Sequence, residues 1–217
     1  MIVKATRRVL LGPLVHACNL SLVNGVFPQH LKIAKVIPLH KGDDSSVFSN
    51  YRPISVLTVF SKVFERMMYN RLIEYLNTNK ILYSFQFGFR KNHSAAMALI
   101  LLIDKISKAL ENGEYVIGLF IDFSKAFDTI NYDILYCKLN HYGIRGCMLD
   151  WFKSYLTDRK QYVYYNGHAS SMQNISCGVP QGSILGPLLF LIYVNDLATV
   201  SEYIFSILFA DETNMFM

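Results

Sequence analysis

The tightest constraint on this chain is its stretch from Ile204 to Met217, which reads Ile-Phe-Ser-Ile-Leu-Phe-Ala-Asp-Glu-Thr-Asn-Met-Phe-Met. Apart from Ser206, residues Ile204 to Phe209 are apolar, and Asp211 and Glu212 follow directly after Ala210. A second apolar run, Met215 to Met217, comes after Thr213 and Asn214. The pattern predicts a buried strand, an acidic turn and a second strand. Two carboxylates on a tight turn at the end of a buried strand form a hard-cation site that needs a third oxygen ligand. An ordinary polar hairpin turn has the same pattern, so the rest of the chain must choose between them.

The 217 residues are 52% hydrophobic, 14% aromatic and 17% charged, which excludes a disordered segment and fits a folded chain with a deep core. A net charge of +5 and a pI near 8.9 suit a polyanion-binding surface without requiring one. The four cysteines include no Cys-x-x-Cys pair, so a zinc site is excluded on spacing and free thiols of a reducing compartment are expected. Lys4, Arg7 and Arg8 precede an apolar patch in the manner of a signal peptide, but Gly12, Pro13 and His16 interrupt that patch. The longest apolar run, Ile184 to Val194, is broken by Gly186 and Pro187 and falls short of the roughly 18 residues a membrane span needs. The expected setting is intracellular, nucleus or cytoplasm, with no secretion and no membrane contact.

In chain order, Val9 to Asn24 reads as a helix stopped by Gly25. Lys32 to His40 alternates basic and apolar residues as a strand, and Tyr51 to Ile54 returns as its partner across a polar loop from Asp43 to Asn50. Lys41 and Arg52 then flank one hairpin, an arrangement that suits a triphosphate and equally suits two solvated surface charges. Thr58 to Leu76 is an amphipathic helix with apolar residues at 60, 64, 68, 72 and 76, leaving Lys62, Glu65 and Arg66 off the stripe. Tyr83 to Arg90, followed by Lys91, interleaves aromatics with cations, as a base-stacking surface or as a half-buried strand with a basic end. Ser94 caps a helix running to Asn112.

Tyr115 to Ile121 predicts a central strand with Asp122 at its tip, where a buried carboxylate is costly unless paired or metal-bound. Asp128 is expected to cap a helix from Asn131 to His141, and Gly146 to Thr157 forms the next helix. Asn166-Gly167 between Lys160–Tyr165 and Met172–Cys177 signals a hairpin. In Gly178 to Ser183, Gly182 lets backbone approach a ligand closely and Gln181 can donate and accept; a plain turn would have the same residues. A helix from Ile184 to Ala198 leads into the acidic hairpin, and the class is α+β. If the strands ending at Asp122 and Asp211 are neighbours, two divalent ions about 3.5–4 Å apart can bridge their carboxylates and clamp an in-line phosphoryl transfer.

Six blocks carry a resemblance: 52–55 (Arg-Pro-Ile-Ser), 86–90 (Gln-Phe-Gly-Phe-Arg), 120–128 (Phe-Ile-Asp-Phe-Ser-Lys-Ala-Phe-Asp), 142–146 (Tyr-Gly-Ile-Arg-Gly), 178–187 (Gly-Val-Pro-Gln-Gly-Ser-Ile-Leu-Gly-Pro) and 209–211 (Phe-Ala-Asp). In this order and spacing they resemble the reverse transcriptase of a non-LTR, LINE-type, jockey-like retrotransposon, from about Gly25 onward. The resemblance implies a right-hand polymerase with fingers and a partial palm, an antiparallel palm sheet with helices packed on one face, and no thumb. It divides the chain into an N-terminal helix (1–24), a fingers-like region (25–114) and a palm-like region (115–217). It implies an RNA-directed DNA polymerase acting on an RNA template, a DNA primer and deoxynucleoside triphosphates, within a longer polyprotein. Asp122 and Asp211 would hold Mg2+, or Mn2+ in its place, with the Phe123 carbonyl assisting and Glu212 as the second acid of the catalytic pair. Phe127 would exclude a ribose 2′-hydroxyl, Lys41 and Arg52 would hold the incoming triphosphate, and Pro180, Gln181 and Gly182 would lie beneath template and nucleotide.

The family closes its motif with Asp-Asp, whereas this chain has Asp211-Glu212. The extra C–C bond is roughly 1.5 Å, against about 0.5 Å of tolerance in a metal site, so weakened rather than abolished metal binding is expected. The competing expectations are a catalytically inactive nucleic-acid-binding remnant and, more remotely, a metal-dependent phosphohydrolase. Hydrolysis would leave Phe127 and the Pro180-Gln181-Gly182 loop without a purpose.

Overall fold

The computed structural model describes residues 6–42 and 44–217, so the readings on Lys4 and Asp43 lie outside it. Helix α1 (Arg7–Val23) runs through Pro13, which interrupts the apolar run in sequence but not the helix. Strands β1 (Ile33–His40) and β2 (Tyr51–Val56) pair antiparallel, with Leu39 opposite Arg52 and His40 opposite Tyr51. Helix α2 (Val59–Thr78) begins at Thr58, whose side chain accepts from the Ser61 N–H, and α3 (Ala95–Glu111) begins at Ser94, which accepts from Met97 N–H. Strand β3 (Gly118–Asp122) is followed by α4 (Tyr132–His141) and α5 (Cys147–Leu156). The cap of α4 is Asn131, not Asp128 as expected: the Asn131 side chain accepts from the Ile134 N–H, three residues on.

Strand β4 (Arg159–Tyr165) turns back through Asn166 and Gly167, both at positive φ, into β5 (His168–Ala169), and β6 (Gln173–Ile175) also pairs with β4. Because β4 lies parallel to β1, the first sheet (order β2-β1-β4-β5) draws strands from both sides of residue 114. Helix α6 (Gly186–Val194) continues as a 3-10 turn to Thr199. Strands β7 (Phe205–Phe209) and β8 (Glu212–Phe216) then complete a second, fully antiparallel sheet of order β3-β8-β7.

The expectation of a buried central strand before Asp122 does not hold. Among the described strands, β3 pairs only with β8, so it sits at an edge, and Ile117, Leu119 and Phe120 are exposed. Composition marked the strand but could not say how many neighbours it would acquire. The main core gathers α2, α4, α5 and α6 around Trp151, Tyr155 and Phe27, whose rings meet edge-on at 5.4 Å and 5.1 Å from Phe27. A smaller cluster of Phe87, Ala98, Ile207 and Phe216 packs α3 and the 85–87 segment against the second sheet. All four cysteines are free, only Cys18 being buried. Among the described residues no helix is long and apolar enough to cross a membrane.

Candidate active site

The acidic hairpin forms, and its turn is shorter than expected. Ala210 and Asp211 make the two-residue connection, with Glu212 already the first residue of β8. Ala210 adopts φ +56°, a left-handed conformation that costs an L-residue about 1–2 kcal/mol and must be held by its surroundings. Register brings the distant acids together: Asp122 is the direct partner of Glu212, and the Phe123 N–H donates to the Asp211 carbonyl at 3.3 Å. Directly opposed residues of antiparallel strands leave the same face of the sheet, so Asp122 and Glu212 are like charges side by side. None of the three carboxylates accepts a hydrogen bond or ion pair from the protein among the described residues. Asp122 and Glu212 are exposed and Asp211 is half-buried, which replaces the expectation of a desolvated Asp122.

This donor set fits a hard divalent cation, whose remaining shell is made up by backbone, solvent and substrate oxygens. Among the described residues no group of three His, Cys, Asp or Glu is close enough to hold a metal by itself.

The remaining predicted residues make their own contacts elsewhere in the chain. The Phe127 ring is half-buried between Phe190 (5.1 Å) and Phe89 (5.7 Å), and its carbonyl accepts from Val179 N–H at 2.7 Å. Gln181 is tied down at both ends: its carbonyl accepts from Ser55 N–H at 2.7 Å, and its Nε2 donates to Asp128 Oδ2 at 3.0 Å. Asp128, expected to cap a helix, therefore orients Gln181 across the first turn after β3. Pro180 is buried. Gly182 has φ +110°, and a Cβ there would lie 2.7 Å from the Ser55 carbonyl oxygen. The close approach that needs this glycine is thus to β2 of the same chain. Lys41 and Arg52 are exposed at the end of the β1–β2 hairpin, with no acid paired to either among the described residues; the Lys41 N–H extends the ladder by donating to Asn50 O at 2.8 Å.

Two further groups were missed. Position 65, read as lying off the apolar stripe, is fully buried. Its carboxylate accepts from the Ile184 N–H at 2.6 Å and from Ser61 Oγ at 3.0 Å, holding the chain just before α6. Burial pushes the Glu65 carboxyl up, opposed by those hydrogen bonds and by the Arg159 charge. The second group is Gln86, also buried, whose Oε1 accepts from Gly88 N–H at 2.8 Å and Ala210 N–H at 3.2 Å. Neither is visible in a sequence pattern, because both partners that matter lie over a hundred residues away. The 85–91 stretch resolves in the same way: Phe85 to Gly88 are turned inward against β7, with Gln86 bridging Leu208, while Phe89 and Lys91 stay exposed.

Residues 39–217 match the family described as reverse transcriptase (RNA-dependent DNA polymerase). The chain is 36% identical over 182 residues to the RNA-directed DNA polymerase from mobile element jockey of Drosophila melanogaster, covering 83% of this chain and 20% of that protein. It is likewise 36% identical over 184 residues to the probable RNA-directed DNA polymerase from transposon BS of the same fly, covering 82% and 20%. The chain thus spans about a fifth of the length of these relatives. Among solved structures, the telomerase of Candida albicans in complex with a fragment of telomeric RNA superposes with a TM-score of 0.64 at 14% identity, covering 88% of this chain and 39% of that one. Apo telomerase of Candida tropicalis superposes at 0.61 with 13% identity, covering 88% and 45%. At such identities the likeness shows the fold.

Proposed function

The chain belongs to the reverse transcriptase (RNA-dependent DNA polymerase) family, in its non-LTR retrotransposon branch, and on that premise we propose that it carries the fingers and part of the palm of an RNA-directed DNA polymerase. Its substrates on this reading are an RNA template, a DNA primer and deoxynucleoside triphosphates. The observation that carries it is the register pairing Asp122 with Glu212, together with the hydrogen bond from Phe123 N–H to the Asp211 carbonyl. Two acids from strands remote in sequence meet there at an open edge, with no cation paired to them among the described residues.

In the proposed mechanism Asp122 and Asp211 would hold Mg2+ or Mn2+, with the Phe123 carbonyl as a further oxygen donor. A bound divalent pair supplies charge neutralisation for the attacking and leaving oxygens of nucleotidyl transfer. Lys41 and Arg52, exposed at one end of the β1–β2 hairpin, bind the triphosphate. Phe127, whose ring packs between Phe89 and Phe190, would exclude a 2′-hydroxyl by contact. The Pro180–Gly182 loop, fixed by Ser55 and Asp128, supports the template and the incoming base.

Glu212, and the lack of a three-acid cluster among the described residues, favour a second reading: an inactive remnant that binds nucleic acid. Primer extension on poly(rA) primed with oligo(dT), in Mg2+ or Mn2+, separates the two. Incorporation that Asp122→Ala abolishes supports the polymerase. Salt-dependent RNA binding with no incorporation leaves the remnant.

A further inference from the structure

We propose that Gln86 is a positioning residue for the catalytic hairpin, holding the Asp211 turn in its metal-binding shape from the fingers side. This rests on the polymerase reading above and deepens it. The turn needs such a device: Ala210 is held at φ +56° without the freedom of glycine. The segment just before Gly88 lies along β7, with Phe87 N–H donating to Leu208 O at 2.8 Å and Leu208 N–H donating to Phe85 O at 3.0 Å. These two bonds fix the segment against the strand. Gln86 then reaches one step further, and its Oε1 accepts from the Ala210 N–H and the Gly88 N–H together. Both partners are donors, so the oxygen of the amide must face them.

The fit around the turn leaves no slack. A Cβ at Gly88 would fall 2.1 Å from the Ala210 nitrogen, so the two backbones are in direct contact. Gln86 is 2% exposed, and its Nε2 is buried with no hydrogen-bond partner among the described residues. An unpaired buried donor is a cost that a hydrophobic residue of the same volume would avoid. What glutamine provides in return is the acceptor that satisfies the Ala210 N–H. Asp211 is the next residue, so the direction of its carboxylate follows from the Ala210 backbone that Gln86 holds.

The test compares the full chain with Gln86→Met, which keeps the volume and removes the acceptor, and Gln86→Glu, which keeps an acceptor oxygen. Amide hydrogen exchange and Mn2+ titration are both read. Expected for Gln86→Met are exchange about tenfold faster at Ala210 and Gly88 and Mn2+ binding about 10- to 100-fold weaker, with Gln86→Glu returning both towards the parent. Unchanged exchange at Ala210 overturns the proposal, and so does faster exchange with Mn2+ affinity retained. Faster exchange spread through the whole β3-β8-β7 sheet, with a matching fall in melting temperature in both variants, would make Gln86 a packing residue only and also overturns it. If the parent chain takes up no Mn2+, the metal reading of the previous section fails. The clamp is then decided by exchange alone, which upholds it if faster at Ala210 and Gly88 and overturns it if unchanged.

Discussion

Glu65 shows how much of this site depends on single buried polar atoms. It is enclosed by the main core, yet its carboxylate holds the Ile184 N–H and the Ser61 hydroxyl. Replacing it by alanine leaves the Ile184 N–H without an acceptor, and the cost expected is about 1–3 kcal/mol in urea unfolding. Its titration gives a sharper signature. Burial raises the folded-state pKa above the ordinary 4.5, so the folded protein binds the proton more tightly than the unfolded chain. The stabilisation from this group is therefore complete below pH 4.5 and is lost as pH rises through the raised value. Glu65→Gln is expected to remove that decline, and a series of urea midpoints across the acidic range measures it. Arg159, buried with Nη1 donating to Tyr155 O at 3.1 Å and with Nε and Nη2 unpartnered among the described residues, supplies the opposing charge in the same enclosure.

At the scale of elements, the second sheet exposes an edge. Strand β3 has β8 on one side and no described strand on the other, and it carries Leu119 and Phe120 outward. An edge strand with apolar side chains is a template for pairing with another chain. The isolated chain is expected to self-associate as concentration rises, and Leu119→Lys to suppress this without lowering the melting temperature. Dynamic light scattering beside a thermal melt checks both halves. The elements themselves were largely legible in the sequence because their signals are local. Thr58, Ser94 and Asn131 each cap an N–H three residues ahead, and Asn166-Gly167 makes its turn from its own φ preferences. Asp128 was misassigned for the complementary reason. An aspartate shortly before a helix looks like a cap, but its Oδ2 is taken by Gln181, 53 positions away.

At the scale of the molecule the described residues form two cores of unequal size. The larger surrounds Trp151 and Tyr155, while the smaller, Phe87, Ala98, Ile207 and Phe216, lies between α3 and the sheet that carries the acids. Free energies of local opening follow the buried apolar contacts. Native-state hydrogen exchange is expected to show β3, β7 and β8 opening before α4 and α5, and equal protection in the two regions would contradict this. The sequence by itself determined the α+β class, nearly every helix and strand and the family, because periodicity, caps and ordered motif blocks are written in neighbouring residues. Only the tertiary structure decided that Asp122 ends an exposed edge rather than a buried strand, that Glu65 lies in the core, and that Gln86 and Gly88 grip the Asp211 turn. Burial and hydrogen-bond partnership depend on which remote element covers a face, and no local preference encodes that choice.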